Sequence, residues 1–222
     1  MQTIAEGVIR VSLAPRAALN AYLIDERVLV DTGMPHQRRR VSRALRDLDI
    51  ERIVLTHAHV DHAGTVAAIS AEKGAEVLCG AADLADLAAG VSPPIKLGRP
   101  MIPVQRALVR YRGLRASPLH DGDEVGGGFV AVKTRGHSPG HHSLWREHDG
   151  VLIAGDALIG VSNRLRTGVF RPLAALRPDD ASVTRSIQRL AELRPKVIAF
   201  GHGPPLVQDA AHQLSALAKM IG

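Results

Sequence analysis

The chain has 222 residues, 45% of them apolar and 23% charged, and a formal charge of +6. That length buries a sizeable core in one domain, and that composition excludes collagen-like, low-complexity and disordered classes. A single cysteine, Cys79, excludes an internal disulfide and reads as a buried reduced thiol. No apolar run reaches bilayer length, and residues 1–6 lack a basic start followed by an apolar run, so a cytoplasmic location with no membrane association is expected.

In chain order, residues 8–13, 20–24 and 27–31 read as three consecutive strands, with Asp25-Glu26 as a tight hairpin turn. Residues 35–48 are predicted to be a helix, with Pro35 at its start and Val41, Ala44, Leu45 and Leu48 at helical spacing. Residues 52–56 read as a buried strand, and a helix starts near Thr65 and runs to about Lys73. A short strand near Val77 and a short helix over 83–87 follow. Residues 91–118 break this rhythm with Pro93, Pro94, Pro100 and Pro103. They read as an insert or lid rather than a sheet element, with a helix over 102–114 bearing arginines on one side. The second half resumes at the turn Asp121-Gly122-Asp123, with strands predicted over 129–134, 143–146 and 151–154. A helix over 179–193 opens on Asp179 and Asp180, 196–200 is a final buried strand, and 206–221 a closing helix. Each half runs strands, helix, strand, which suggests two related αβ halves.

Between the strand at 52–56 and the following helix lies His57-Ala58-His59-Val60-Asp61-His62. Three histidines and a carboxylate in six residues are four good metal ligands on one strand-to-helix turn. Alternate residues of an extended segment point the same way, so His57 and His59 can share one metal. Past the turn, Asp61 and His62 can face a second. Three more candidates each follow a predicted strand: His137, Asp156 and His202, all flanked by glycines that let the backbone turn sharply beside a ligand. In a layered α/β fold, side chains at the same end of several strands converge on one site.

These motifs resemble those of the metallo-β-lactamase superfamily, over about residues 23–205 and in that family's order. The resemblance implies a four-layer αβ/βα sandwich of two mixed β-sheets flanked by helices. It implies that His57, His59 and His137 hold one metal, that Asp61, His62 and His202 hold the other, and that Asp156 bridges them. The expected cofactors are two Zn2+, with iron or manganese as alternatives. A hydroxide between the metals would attack an electrophilic carbonyl or phosphorus, and Asp61 would orient it. Asp31 matches a family acid that accepts a hydrogen bond from a ligand histidine; a plain turn aspartate is nearly as good a reading. His141, four residues past His137, is placed behind the ligands or in the pocket wall. His142, His36, His120, His148 and His212 are read as surface or turn residues, and Tyr22 and Tyr111 as packing residues.

The substrate is less legible, because one scaffold hosts many reactions. With 20 residues after His202, a C-terminal glutathione-binding domain of the glyoxalase II kind is not expected. Few aromatics argue against nucleic acid as a partner. The basicity is regional. Residues 91–119 hold Lys96, Arg99, Arg106, Arg110, Arg112 and Arg115 with no acid, and residues 157–178 hold Arg164, Arg166, Arg171 and Arg177 with none. A cationic, partly apolar rim around the site is expected from these segments, with Arg106, Arg110 and Arg164 as substrate contacts. That rim suits a small anionic ester, thioester or lactone. The alternatives are a phosphodiester or, on a single iron held by His57, His59 and Asp156, persulfide oxygenation. The chain is expected to be a monomer or a homodimer, with the insert at about 91–119 as lid or dimer contact.

Overall fold

The computed structural model describes residues 1–96 and 109–222. Its first sheet has seven strands in sequence order: β1 (Gln2–Ala5), β2 (Val8–Ser12), β3 (Asn20–Ile24), β4 (Val28–Val30), β5 (Arg52–Leu55), β6 (Glu76–Gly80) and β7 (Ser117–Leu119). The first four pair antiparallel, and β4 to β7 pair parallel. The second sheet, with β8 (Glu124–Gly126), β9 (Phe129–Lys133), β10 (His142–Arg146), β11 (Val151–Gly155) and β14 (Val197–Phe200), has the order β14-β11-β10-β9-β8. Only its β11–β14 pair is parallel. A separate hairpin, β12 (Ile159–Val161) with β13 (Thr167–Phe170), stands beside this sheet.

Strand alternation builds the layers. Along β4 and β5, Val28, Val30 and Val54 point into the space between the sheets, while Leu29, Ile53 and Leu55 point the other way. Along β11 and β14, Val151, Ile153 and Ala199 point inward, and Leu152, Ala154, Ile198 and Phe200 outward. Both faces are buried, so both need helices. Helices α1 (Arg38–Ala44), α3 (Val66–Lys73) and α4 (Leu84–Ala89) cover the first sheet through Val41, Val66, Ile69 and Leu87. The helix preceding α3 in the chain, α2 (Val60–Ala63), is one turn long. Helices α5 (Asp180–Glu192) and α6 (Ala210–Ile221) cover the second sheet through Val183, Ile187, Leu190, Leu214 and Leu217. The result is the expected αβ/βα sandwich.

Several elements differ from expectation. The helix predicted over 35–48 begins as a 3-10 turn, Pro35–Gln37, and its α-helical part ends at Ala44. Strands β1, β8, β12 and β13 were not expected. The segment 91–119 is not wholly outside the sheet: it leaves through β7, and Val91 bridges Arg110. Residues 109–114 are not helical, which corrects that end of the helix predicted over 102–114. The rest of that helix, with Arg106, lies outside the described residues, as does Arg99 before it.

Candidate metal centre

Every predicted ligand follows the end of one of four strands, β5, β9, β11 or β14. Past β5 the chain bends at Thr56, and His59 enters α2 in an extended conformation at φ −67°, ψ 149°. This puts His57 and His59 on one side, and the first turn of α2 swings Asp61 and His62 to the other. Glycines give the clearance. A Cβ on Gly201 would overlap Asp156, and one on Gly155 (φ 54°) would stand 2.8 Å from His141 Nε2.

One cluster is formed by His57 Nε2, His59 Nδ1 and His137 Nε2, at 2.9 Å (57–59), 2.9 Å (59–137) and 3.2 Å (57–137). Each ring's other nitrogen settles its tautomer. His59 Nε2 faces the carbonyl of Pro93 at 3.2 Å, and His137 Nδ1 that of Leu176 at 2.9 Å. A carbonyl only accepts, so the proton sits on those nitrogens. Thr56 Oγ1, which donates to Asp31, is left to accept from His57 Nδ1 at 3.0 Å. Three nitrogen lone pairs therefore converge with no proton between them. Burial holds all three rings below the ordinary imidazole range, His59 to about 3. Neutral nitrogen lone pairs at this spacing repel unless a cation lies among them.

The second cluster joins Asp61, His62 and His202. His62 Nδ1 donates to Asp31 Oδ2 at 2.8 Å, and His202 Nδ1 to the carbonyl of Ala18 at 2.6 Å. Their Nε2 atoms face inward. His202 Nε2 lies 3.2 Å from both Asp61 Oδ2 and Asp156 Oδ2, and His62 Nε2 lies 3.5 Å from Asp156 Oδ1. Burial lowers a histidine's pKa, yet here the surrounding carboxylates outweigh it. Asp156 and Asp61 push His202 up to about 10, and Asp156, Asp31 and Asp61 hold His62 well above its usual range. Against their own burial, the two carboxylates are held below theirs: Asp156 by His202 and His62, Asp61 by His62 first. This half of the site demands positive charge. Asp156 lies between the clusters, its Oδ2 3.5 Å from His137 Nε2, and its buried Oδ1 has no hydrogen bond. Converging lone pairs, an unpartnered buried carboxylate oxygen and two ionised acids form a donor set that fits two metal cations.

The surrounding groups hold this set rigid. Asp31, in a left-handed conformation (φ 60°), accepts from the Thr56 amide and hydroxyl as well as from His62. His141 is fully buried and lies behind the ligands, not in the cavity wall. Its Nε2 accepts from the Asp156 amide at 3.0 Å, and its Nδ1 donates to Thr134 Oγ1 at 2.8 Å. That hydroxyl donates to Ser143 Oγ, which in turn donates to the carbonyl of Ala154.

Sequence reasoning missed Asp83. This buried carboxylate accepts from the Ala58 amide at 3.2 Å, the Ser138 hydroxyl at 2.7 Å and the Gly140 amide at 2.7 Å. It ties the loop bearing His57 and His59 to the loop bearing His137. Burial raises its pKa, and these three donors oppose that rise. Tyr111, expected only to pack, also donates its hydroxyl to the carbonyl of Ala58 at 2.9 Å. The Ala58 residue between the two ligand histidines is thus clamped from both sides. His142, expected at the surface, is buried, and its Nδ1 donates to Gly140 O. No spacing signal marks either correction, because lone polar residues near a strand end carry no period.

A cavity of about 450 Å3 opens onto Asp61, Asp156 and His202. Its walls are apolar, with Val60, Ile95, Val109, Val161 and Leu176 among them, and no Lys or Arg lines it among the described residues. Of the arginines expected at a cationic rim, Arg110 is exposed at its bridge with Val91, and Arg164 lines a neighbouring groove. Arg106 lies outside the described residues.

Fold and site together define a metal-binding αβ/βα protein with its ligands at the strand ends. The metallo-beta-lactamase superfamily model matches residues 15–202, and the chain belongs to that superfamily. It is 27% identical over 217 residues to the probable metallo-hydrolase YflN of Bacillus subtilis (strain 168), covering 87% of this chain and 82% of that one. Among solved structures it is similar to the metallo-beta-lactamase family protein TTHA1429 from Thermus thermophilus, with TM-score 0.69 and 25% identity over 98% of this chain and 80% of that chain. TTHA1623, solved in a di-iron-bound form, gives TM-score 0.67 and 26% identity over 94% and 98% of the two chains. Among the described residues no helix is long and apolar enough to cross a membrane.

Proposed function

We propose that the chain is a two-metal hydrolase of a small ester, thioester or lactone. The observation that carries this reading is the pair of converging ligand sets with Asp156 between them. His57, His59 and His137 would hold one metal, Asp61, His62 and His202 the other, with Asp156 shared. A nitrogen-rich set with carboxylates suits zinc, and the di-iron form of TTHA1623 makes iron the natural rival. Bound there, two such ions supply Lewis acidity and bring the pKa of a coordinated water toward about 7.

The chain's own residues do the rest. Asp61, with about a third of its side chain exposed and lining the cavity, would accept a hydrogen bond from the attacking water and orient it. The outer hydrogen bonds of His57, His59, His62, His137 and His202 fix each ring's tautomer. The apolar walls seat the acyl body and exclude bulk water. Water oxygen adds to the acyl carbon, the carbon–oxygen or carbon–sulfur bond breaks, and the proton leaves on the alcohol or thiol. Among the described residues no arginine or lysine lines the wall, which favours this class over a phosphodiester.

A panel of acetyl and longer-chain thioesters, lactones and bis(p-nitrophenyl) phosphate, given to metal-loaded protein, tests the reading. Turnover of carboxylic substrates at least about a hundred-fold faster than the phosphodiester is expected. Preference for the phosphodiester would overturn it.

A further inference from the structure

Beside the site lies a partly apolar groove that the hydrolase reading leaves unused. It has a volume of about 820 Å3, roughly within the range of small-ligand sites, and lies between the β12–β13 hairpin and α6. Ile159, Val161, Ser162, Asn163 and Leu173 border both this groove and the metal cavity, so the two spaces share one ridge. A molecule bound at the metals reaches the groove by crossing that ridge.

Two independent features show what the groove is built for. Its floor is apolar and open: Leu173 is 50% exposed and Met220 76% exposed, both in its lining. Leu165, at the hairpin tip, is 75% exposed and held in a left-handed conformation (φ 58°) that a leucine rarely adopts. Its charge is one-sided. Arg164, Arg166 and Arg171 line it and no acid does. Arg171 is engaged with Asp180 at 2.6 Å, whereas Arg164 and Arg166 have no ion-pair partner among the described residues.

We propose that this groove binds the far end of the substrate: an unbranched apolar chain ending in an anionic head, carboxylate or phosphate, held by Arg164 and Arg166. The inference rests on the hydrolase reading for its link to the metals, and it moves the expected anion selectivity from the cavity mouth to this groove. A second copy of the chain is a poorer occupant. Groove against groove would set Arg164 and Arg166 of one copy against the same cations of the other.

Calorimetric titration of the metal-loaded protein tests the groove directly, with decyl sulfate as a weakly metal-coordinating probe. Decyl sulfate is expected to bind at least about ten-fold more tightly than decanol or decyltrimethylammonium. Arg164→Ala with Arg166→Ala is expected to weaken it about ten-fold, and Ala216→Trp, which fills the groove from α6, at least as much. Decanoate and decyl phosphate as further probes identify which head fits best. Equal binding of decanol, or undiminished binding in both variants, overturns the proposal. Turnover separates it from the reading beneath it, through the ratio of kcat/KM for an acyl thioester bearing a terminal carboxylate to that for an acetyl thioester. If the wild type turns over both and the double arginine variant keeps the ratio, the groove fails and the hydrolase stands. If neither is turned over while decyl sulfate binding still needs the arginines, the hydrolase fails and the groove stands.

Discussion

At the residue scale, the metal centre depends on groups that never touch a metal. Asp83 is the clearest case, since one carboxylate joins the loops that carry His57, His59 and His137. In Asp83→Asn one acceptor oxygen becomes a donor that faces another donor. Metal affinity, read by competition with a chromogenic chelator, should fall about 10–100-fold, the usual effect of losing an outer-shell partner. The same loss in Asp209→Asn, an exposed acid at the start of α6 whose side-chain partner is His212, would contradict the assignment. The clustered candidate ligands were legible in the sequence because period-two spacing and glycine-flanked strand ends mark them. Asp83 was not, since it is a single polar residue whose partners lie far along the chain, and neither was the buried state of His142, whose side-chain partner is a backbone carbonyl.

At the element scale, buried strands and amphipathic helices were read correctly where a period ran long enough. Helix α5 is the best example: Val183, Ile187 and Leu190 are buried on one face, and Asp179 caps its start by accepting from the Ser182 amide at 3.0 Å. Asp179→Ala should cost about 1 kcal/mol, visible as a lower midpoint in urea unfolding at unchanged slope. Because the Asp179 amide also donates to Gly136 O, the cap sits beside the His137 loop. Three- and four-residue strands such as β8, β12 and β13 escaped reading, because so short a run shows no alternation. The arginines around β12 and β13 also masked their few apolar positions.

At the scale of the whole molecule, the two sheets are pinned together at the end opposite the metals. Arg146, only 3% exposed, donates to Glu6 O, Gly127 O and both carboxylate oxygens of Asp149, and lies over the Phe129 ring at 4.6 Å. It thereby joins three turns from both sheets. Burial raises the pKa of Asp149, but the hydrogen bonds and charge of Arg146 together outweigh this and hold it below the ordinary carboxylate value. A depressed carboxylate adds stability that is present above its unfolded pKa of about 3.9 and is lost as pH falls through the folded value. Thermal midpoints should therefore drop on acidification below about pH 4, and Asp149→Asn should flatten that drop while lowering the midpoint at pH 7. An identical acid limb in wild type and variant would remove Asp149 from the account. The alternation of inward and outward residues announced a layered α/β fold. What joined the two sheets was not announced, because it runs through one arginine and backbone carbonyls at distant positions.

The central claim is that these seven side chains form two adjoining metal sites. Metal content per chain, by mass spectrometry on protein expressed without added metal, tests it most directly, with His59→Ala and His202→Ala beside the wild type. The account predicts about two transition-metal ions per wild-type chain and about one in each variant, with hydrolysis lost in both. A wild-type chain carrying only traces of metal, or a His59→Ala variant keeping its full metal content and activity, would contradict it.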